Sequence, residues 1–302
     1  LVEAGKSEHP FARMPMSFGL FINKPGVNWR YQSEPESATA NRNIPIPRGK
    51  MVGGSSSING LVYVRGQSLD YDTWAQYGNK GWSWEEVSKV FKKIEGYEDA
   101  IDDYRGTSGP LGISELSDKN PLYEALFKSA ESLGYIRNKD YNGPNQEGIA
   151  RIQATIRNGR RMSTNYCYLR PAEKRGNLNV ITEAQAQKLL VKDKKCYGII
   201  YKINNEVFHV HSNKEVILSA GAIASPQILE LSGIGNPKIL MKNEIEVLHD
   251  LPAVGENFQD HFMARIQYRL KLKEASYNHK GRGLNKLGEI IKYVSSRKGL
   301  FS

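Results

Sequence analysis

The segment RGKMVGGSSSINGLVYVRGQSLDYD, from Arg48 to Asp72, lies between two extended apolar stretches. Gly53 and Gly54 carry no side chain and allow a positive φ, and the serines that follow add hydroxyl groups. Backbone N–H groups in such a loop can converge on a phosphate or on the polar edge of a ring. A surface turn would explain GGSSS alone equally well. The wider segment, with Asn59 after the serines, favours a loop that contacts a ligand.

A second glycine-containing segment, GAIASPQILELSGIG, runs from Gly221 to Gly235. The segment before it, Glu215 to Leu218, predicts a buried strand that leads through small residues into a short helix. Such a turn brings backbone N–H groups and the positive end of a helix towards a negatively charged ligand. An ordinary strand-to-helix connection with a stop at Gly233 is the alternative.

The chain opens with LVEAG, an apolar run that ends in a carboxylate and a glycine. In a dinucleotide-binding βαβ unit, an acidic residue at the end of the second strand accepts hydrogen bonds from the adenosine ribose. Glu3 suits this role. The glycine-rich GxGxxG turn of such a unit would precede it.

The two motifs, in this order and spacing, resemble those of the glucose-methanol-choline (GMC) oxidoreductases, which are FAD-dependent alcohol dehydrogenases and oxidases. The resemblance covers essentially the whole chain and implies an α/β fold, with a Rossmann-like FAD-binding domain and a discontinuous α+β substrate domain. Neither the GxGxxG turn nor the C-terminal catalytic His of that family is matched here. We therefore expect an internal fragment in which both domains are incomplete and no catalytic residue is present.

The resemblance divides the chain into four parts. Residues 1–66 are expected to form the first part of the FAD-binding domain with an extended excursion that contacts the flavin. Residues 67–172 are expected to be a helical insertion on the substrate side, 173–262 the second part of the FAD-binding domain, and 263–302 the start of the substrate-binding domain.

The resemblance also implies which residues bind FAD, mostly through backbone. They are Glu3, Trp29, Arg48, Val52, Gly53, Gly54, Ser55, Asn59, Gly60, Leu61, Val62, Ala186, Ala220 and Gly221. In choline oxidases the residue before the asparagine is a histidine that bonds covalently to the flavin. This chain has Ile58 there, so the cofactor is expected to be held non-covalently.

Two further positions bear on the substrate. The block LPAVGENFQDHFM matches a family pattern, and His261 in it either lines the active site or has a structural role. Choline-specific members carry a glutamate two residues later, where a carboxylate can pair with a quaternary ammonium group. This chain has Met263, whose apolar thioether better suits an aliphatic alcohol.

The implied reaction is the oxidation of a primary alcohol to an aldehyde with hydride transfer to flavin N5, and a quinone or another non-oxygen acceptor is expected. A choline dehydrogenase is the alternative. A non-redox lyase of the same family and an inactive fragment are further alternatives. A photodecarboxylase would require a cysteine close before the glycine pair, and residues 46–50 contain none.

Composition agrees with a globular chain of about two domains, with 39% hydrophobic and 25% charged residues. The formal net charge of +10 is scattered among acidic residues, which argues against nucleic acid as a partner and allows at most peripheral membrane contact. Cys167 and Cys196 predict neither a disulfide framework nor a metal site. A cytoplasmic location, or one peripheral to the inner membrane, is expected.

Local patterns predict several elements. Ser83 followed by Glu86 predicts a capped helix, and Asn120-Pro121 predicts the start of another that stops at Gly134. Residues 178–219 carry β signals.

Overall fold

The computed structural model describes residues 1–100, 102–116, 118–261 and 266–302. The chain divides into two compact units. The small unit contains Leu1–Ser7 and Asn179–Tyr268, and the large unit contains Glu8–Leu178 and Arg269–Ser302. The functional division of the chain at residues 66, 172 and 262 stays a prediction.

The helices are 4 to 14 residues long and occur in both units. They are α1 (Phe18–Phe21), α2 (Ser68–Gln76), α3 (Trp84–Ile94), α4 (Pro121–Ser132), α5 (Arg170–Glu173), α6 (Gly221–Leu231), α7 (Pro237–Lys242), α8 (Tyr277–Lys280) and α9 (Gly283–Ser296). A π-helical turn, Asn165–Leu169, leads directly into α5. Short 3-10 turns occur at Pro10–Arg13, Pro15–Ser17, Ser37–Thr39, Gly54–Ser57 and Lys273–Ala275.

The strands are mostly short. They are β1 (Tyr31–Gln32), β2 (Pro45–Ile46), β3 (Glu95–Tyr97), β4 (Leu111–Glu115), β5 (Gln153–Ala154), β6 (Ile156–Arg157), β7 (Arg160–Arg161), β8 (Ala184–Lys192), β9 (Lys195–Ile203), β10 (Glu206–His211), β11 (Ile234–Gly235) and β12 (His249–Asp250).

The main sheet of the small unit is an antiparallel meander in the order β10-β9-β8. Asp193 and Lys194, which join β8 to β9, both have a positive φ, of 50° and 60°. Two such residues form the hairpin turn whose twist matches that of the flanking strands. The β signals of this region are therefore confirmed for these three strands.

The amino-terminal segment pairs with a distant part of the small unit. Val2 forms a parallel bridge with Ile181. The N–H of Glu3 donates to the carbonyl of Ile181 at 2.9 Å, and the N–H of Ala184 donates to the carbonyl of Glu3 at 2.9 Å. The opening apolar run is thus held in an extended conformation up to its carboxylate.

The predicted buried strand from Glu215 to Leu218 is wrong. These residues belong to no sheet pairing among the described residues, and the side chain of Ile217 is 79% exposed. An apolar run becomes a buried strand only when neighbouring strands satisfy its backbone and cover its side chains. The helix predicted after it is present as α6, and Gly233 beyond its end has a φ of 81°.

Two helices of the large unit begin as the sequence predicts. The carboxylate of Glu86 accepts hydrogen bonds from the backbone N–H and the hydroxyl of Ser83, at 3.3 and 2.8 Å, before α3. The side-chain oxygen of Asn120 accepts from the N–H of Leu122 at 3.0 Å at the start of α4. These caps satisfy N–H groups that have no partner within the helix.

The same region also contains strands that the sequence analysis did not predict. β3, β4 and β5 form a mixed three-stranded sheet, with β3 and β4 parallel and β4 and β5 antiparallel. Residues 67–172 are therefore not only helical, as expected, but mixed. The strands are two to five residues long, which leaves too little periodicity for a sequence pattern to detect.

A buried polar network lies beside this sheet. Arg65 and Arg105 both pair with Glu95, and Arg105 also pairs with Asp140 at 2.7 Å. The hydroxyl of Tyr63 donates to Glu95 at 3.0 Å. Two guanidinium groups and two carboxylates balance in charge, which is how buried ions are tolerated.

An apolar cluster in the large unit consists of Ala12, Phe21, Met51 and Ile58, and the last two flank the glycine-serine loop. A second cluster contains Leu61, Ala154 and Ile156. Within the described part of the chain, no helix has both the length and the apolar character that crossing a bilayer would need.

Candidate functional site

The glycine-serine loop of the large unit turns through two left-handed residues. Gly53 has a φ of 93° and Gly54 a φ of 53°. A β-carbon at Gly53 would collide with the hydroxyl of Ser57 and lie 3.2 Å from Cβ of Asn165. At Gly54 it would meet nothing within 4 Å. The first glycine is needed for internal packing, and the second leaves open space over the backbone.

The loop is braced by the segment around Thr164, more than one hundred residues later. The N–H of Thr164 donates to the hydroxyl of Ser56 at 2.9 Å, and the Thr164 hydroxyl donates to the carbonyl of Gly53 at 3.2 Å. The Ser56 hydroxyl in turn donates to the Gly53 carbonyl at 2.6 Å. The sequence analysis missed this partner. The run of arginine, serine and threonine after Gly159 is the signal that could have indicated it.

Asn59 is exposed, and its side chain accepts a hydrogen bond from a buried arginine. Nη1 of Arg161 donates to Oδ1 of Asn59 at 2.7 Å, and the N–H of Leu61 donates to the same oxygen at 3.2 Å. An amide has one acceptor and one donor end. Because the oxygen is used inside the chain, the NH₂ group is the end of Asn59 that remains to donate to a ligand.

The backbone after Asn59 offers a further donor. The N–H and the hydroxyl of Thr155 both donate to the carbonyl of Leu61, at 2.9 and 3.2 Å. In a trans peptide the N–H points in the direction opposite to the carbonyl. The N–H of Val62, which shares a peptide with the Leu61 carbonyl, is therefore directed away from Thr155. Leu61 is itself a non-glycine residue with a φ of 70°, a costly conformation that buried packing maintains.

Trp29 and Arg48 lie on neighbouring extended segments that lead to the loop. The N–H of Trp29 donates to the carbonyl of Arg48 at 2.9 Å, and Asn28, which is buried, accepts from the N–H of Arg48 at 3.0 Å. The Trp29 ring stacks on Tyr31 with centroids 5.9 Å apart, and the ammonium of Lys50 lies 4.3 Å from the Trp29 centroid.

These residues fit the polar edge of a flat heterocycle. Gly54 and Gly60 leave open space where a ring can approach the backbone, since a β-carbon at either would meet nothing within 4 Å. The Asn59 amide and the Val62 N–H supply outward donors. Val52 and Leu61 are 6% and 5% exposed, so their contribution to a ligand would come from backbone and not from side chains. Ser55 accepts from the N–H of Gly49 at 3.0 Å, which ties the loop back on itself.

The small unit holds the remaining predicted cofactor residues. The carboxylate of Glu3 accepts from the N–H of Gly5 at 2.7 Å, and the Glu3 backbone bonds to Ala184, two residues before Ala186. Ala186 lies on β8 opposite Tyr201, next to a bulge in the pairing with β9. Ala220 and Gly221 are exposed at the start of α6, and Gly221 has open space at its β-carbon position.

The predicted FAD-binding residues are therefore divided between the two units. Trp29, Arg48 and the residues from Val52 to Val62 belong to the large unit, and Glu3, Ala186, Ala220 and Gly221 belong to the small unit. His261, also in the small unit, is exposed, and its backbone N–H donates to the carboxylate of Asp260 at 2.8 Å. Met263 lies outside the described residues.

Comparison with known proteins bears on this geometry. The family model described as GMC oxidoreductase matches residues 31–263. The chain belongs to the GMC oxidoreductase family.

Curated relatives within this family extend over most of the chain. An oxygen-dependent choline dehydrogenase from Photobacterium profundum is 42% identical over 89% of this chain and 48% of its own length. A protein of the same name from Vibrio vulnificus is 37% identical over 99% of this chain and 54% of its own length. The chain spans about half the length of the curated relatives it matches.

Solved structures of related oxidoreductases are also similar to this chain. Pyridoxine 4-oxidase from Mesorbium loti has a TM-score of 0.78 at 29% identity, over 83% of this chain and 50% of that one. An FAD-dependent oxidoreductase from Chaetomium thermophilum has a TM-score of 0.86 at 27% identity, over 99% of this chain and 54% of that one. The predicted GMC family, α/β fold class and FAD cofactor are confirmed.

Proposed function

We propose that the full-length protein oxidises a primary alcohol to the aldehyde with non-covalently bound FAD. The observation that carries this proposal is the loop from Gly53 to Val62, in which open backbone, an oriented amide and an outward N–H lie together within one unit. FAD, when bound, supplies the acceptor for the hydride that leaves the alcohol carbon.

This chain's own contribution is to hold and polarise the cofactor. Donors fixed before a reaction begins stabilise developing negative charge without further reorganisation. Here Thr164 fixes the turn at Gly53, Arg161 fixes the amide of Asn59, and Thr155 fixes the peptide that carries the Val62 N–H. Each fixing contact comes from one short stretch of the chain, residues 155–164.

The expected flavin chemistry can be tested at Asn59. We expect purified full-length protein to be yellow and to reduce an artificial acceptor with a primary alcohol. Asn59→Leu removes the outward donor and leaves the Arg161 guanidinium without one acceptor, which costs about 1–3 kcal/mol. Flavin content and turnover should both fall. Unchanged flavin content together with unchanged turnover would contradict the assignment of this loop.

Two substrates have separate support. Met263 in place of a carboxylate supports an uncharged aliphatic alcohol, because a cation in a dry site without a partner is costly. The similarity to oxygen-dependent choline dehydrogenases supports choline, with oxygen in place of the expected non-oxygen acceptor.

The ratio of kcat/KM for choline to that for butanol separates the two candidates. If Met263 faces the substrate, the native full-length enzyme should prefer butanol, and Met263→Glu should shift the ratio towards choline by about 1–3 kcal/mol. The ratio is used because a loss of stability would lower both rates together. Each measurement is made with oxygen and with an artificial acceptor. A native enzyme that strongly prefers choline would refute the interpretation of Met263 and leave the family assignment intact.

A further inference from the structure

Arg161 is a fully buried guanidinium that binds only uncharged acceptors. Its Nε donates to the carbonyl of Ala12 and its Nη2 to that of Pro15, both at 3.0 Å. Its Nη1 donates to the carbonyls of Ser56 and Asn59, at 3.2 and 2.9 Å, and to Oδ1 of Asn59. The residue is 0% exposed.

This environment differs from that of the other buried arginines of the large unit. Arg65 and Arg105 are each ion-paired with a buried carboxylate. Among the ion pairs of the described residues, none includes Arg161. Burial lowers the pKa of Arg161 to about 10, against the opposite influence of the Glu8 charge, so the group is still a cation at neutral pH.

An unpaired buried cation is costly unless something compensates it. The hydrogen bonds of Arg161 all lead to two segments, Ala12 to Pro15 and Ser56 to Asn59. The second of these is the loop whose outward face fits the polar edge of a heterocycle. The charge therefore lies directly behind the donors of the loop, separated from a ligand by the Asn59 amide.

We propose that Arg161 is a positioning residue that turns the NH₂ group of Asn59 outward and supplies to the cofactor loop a positive charge that no direct ion pair neutralises. This charge stabilises a ring that becomes anionic on reduction, which raises the reduction potential of the bound flavin. The inference rests on the proposed function, because it requires FAD on this loop.

Charge-graded variants of the full-length holoprotein test it. Arg161→Lys keeps the charge and loses the fork of donors. Arg161→Gln removes the charge. Asn59→Asp keeps the acceptor for Arg161 and neutralises the guanidinium with a carboxylate, but it also replaces the outward NH₂ donor with an acceptor. The double variant has a net negative charge. The measurements are the reduction potential of the bound flavin, the Kd of the apoprotein for FAD, and the Tm.

The potential should follow the charge. We expect Arg161→Lys to stay near the parent value and both Arg161→Gln and Asn59→Asp to fall, the latter also through loss of the outward donor. The double variant should be lowest. For either single neutralising variant we expect about a tenfold loss in the equilibrium constant for two-electron reduction, which is about 30 mV. Arg161→Lys should raise the Kd for FAD while it leaves the potential nearly unchanged, because the Asn59 amide is no longer fixed.

Phe127→Ala controls for lost stability. Phe127 is buried on α4, and its truncation should lower the Tm without changing the potential. Potentials that follow the Tm, or that equal the parent value in both Arg161→Gln and Asn59→Asp, would overturn the inference. If Arg161→Gln does not fold, the difference in potential between Asn59→Asp and Asn59→Leu, which both lack the outward donor, reports the charge change. A parent protein that binds no FAD would instead contradict the proposed function.

Discussion

The hydroxyl of Ser56 accepts a hydrogen bond from the backbone N–H of Thr164 at 2.9 Å, across 108 positions of the sequence. Together with Arg161, this contact makes the conformation of the glycine-serine loop a property of the tertiary structure and not of the loop alone. The effect of a substitution in the loop on stability should therefore depend on its contacts with residues 161–165.

Gly53→Ala and Gly54→Ala form a matched pair. Both place a side chain at a positive φ, which costs about 1–2 kcal/mol. Only Gly53→Ala also collides with Ser57 and crowds Asn165. We expect Gly53→Ala to lower the free energy of unfolding by more than Gly54→Ala, as measured by urea denaturation of the full-length protein. Equal losses would show that the packing at Gly53 is not as described.

The FAD of the full-length protein should be released completely by acid or heat precipitation. Ile58 offers no nucleophile, and its side chain is buried among Phe21 and Met51 in the large unit. The measurement is flavin absorbance in the supernatant and in the washed pellet. A pellet that stays yellow would show a covalent bond.

Glu95→Gln should destabilise the large unit strongly. The substitution leaves Arg65 and Arg105 with one buried carboxylate fewer, and breaking a buried pair costs about 3–5 kcal/mol. Glu124→Gln is the control, because the Glu124–Arg137 pair is exposed and should be nearly neutral to stability. Denaturant unfolding of both variants checks the difference, and similar losses would argue against the buried network.

The two cysteines should differ in reactivity. Burial raises the pKa of the Cys167 thiol, so the fraction of thiolate at a given pH is lower than in the unfolded chain. Cys196 is only partly buried. With iodoacetamide at pH 8, Cys196 should be alkylated first and Cys167 only on unfolding, as followed by peptide mass spectrometry. Equal rates in the native protein would contradict the burial of Cys167.

The correct predictions from the sequence rested either on residues close together in the chain or on motifs shared with a family. The helix starts at Ser83 and Asn120 depend on residues within one turn, and the two GMC motifs identify the fold through their own residues. Arg161 could not be found in this way, because its role arises from hydrogen bonds to residues 102 or more positions away. The strand predicted at Glu215 failed for the same reason, since a strand depends on neighbours that its own sequence does not contain.

The pairing of Val2 with Ile181 has a consequence for synthesis. Each unit is built from two separated stretches, and the stretches alternate along the chain. A ribosome must therefore synthesise residues 8–178, which belong to the large unit, before Leu1–Ser7 can pair with the rest of the small unit. A single cut in the chain cannot separate the stretches of one unit from those of the other.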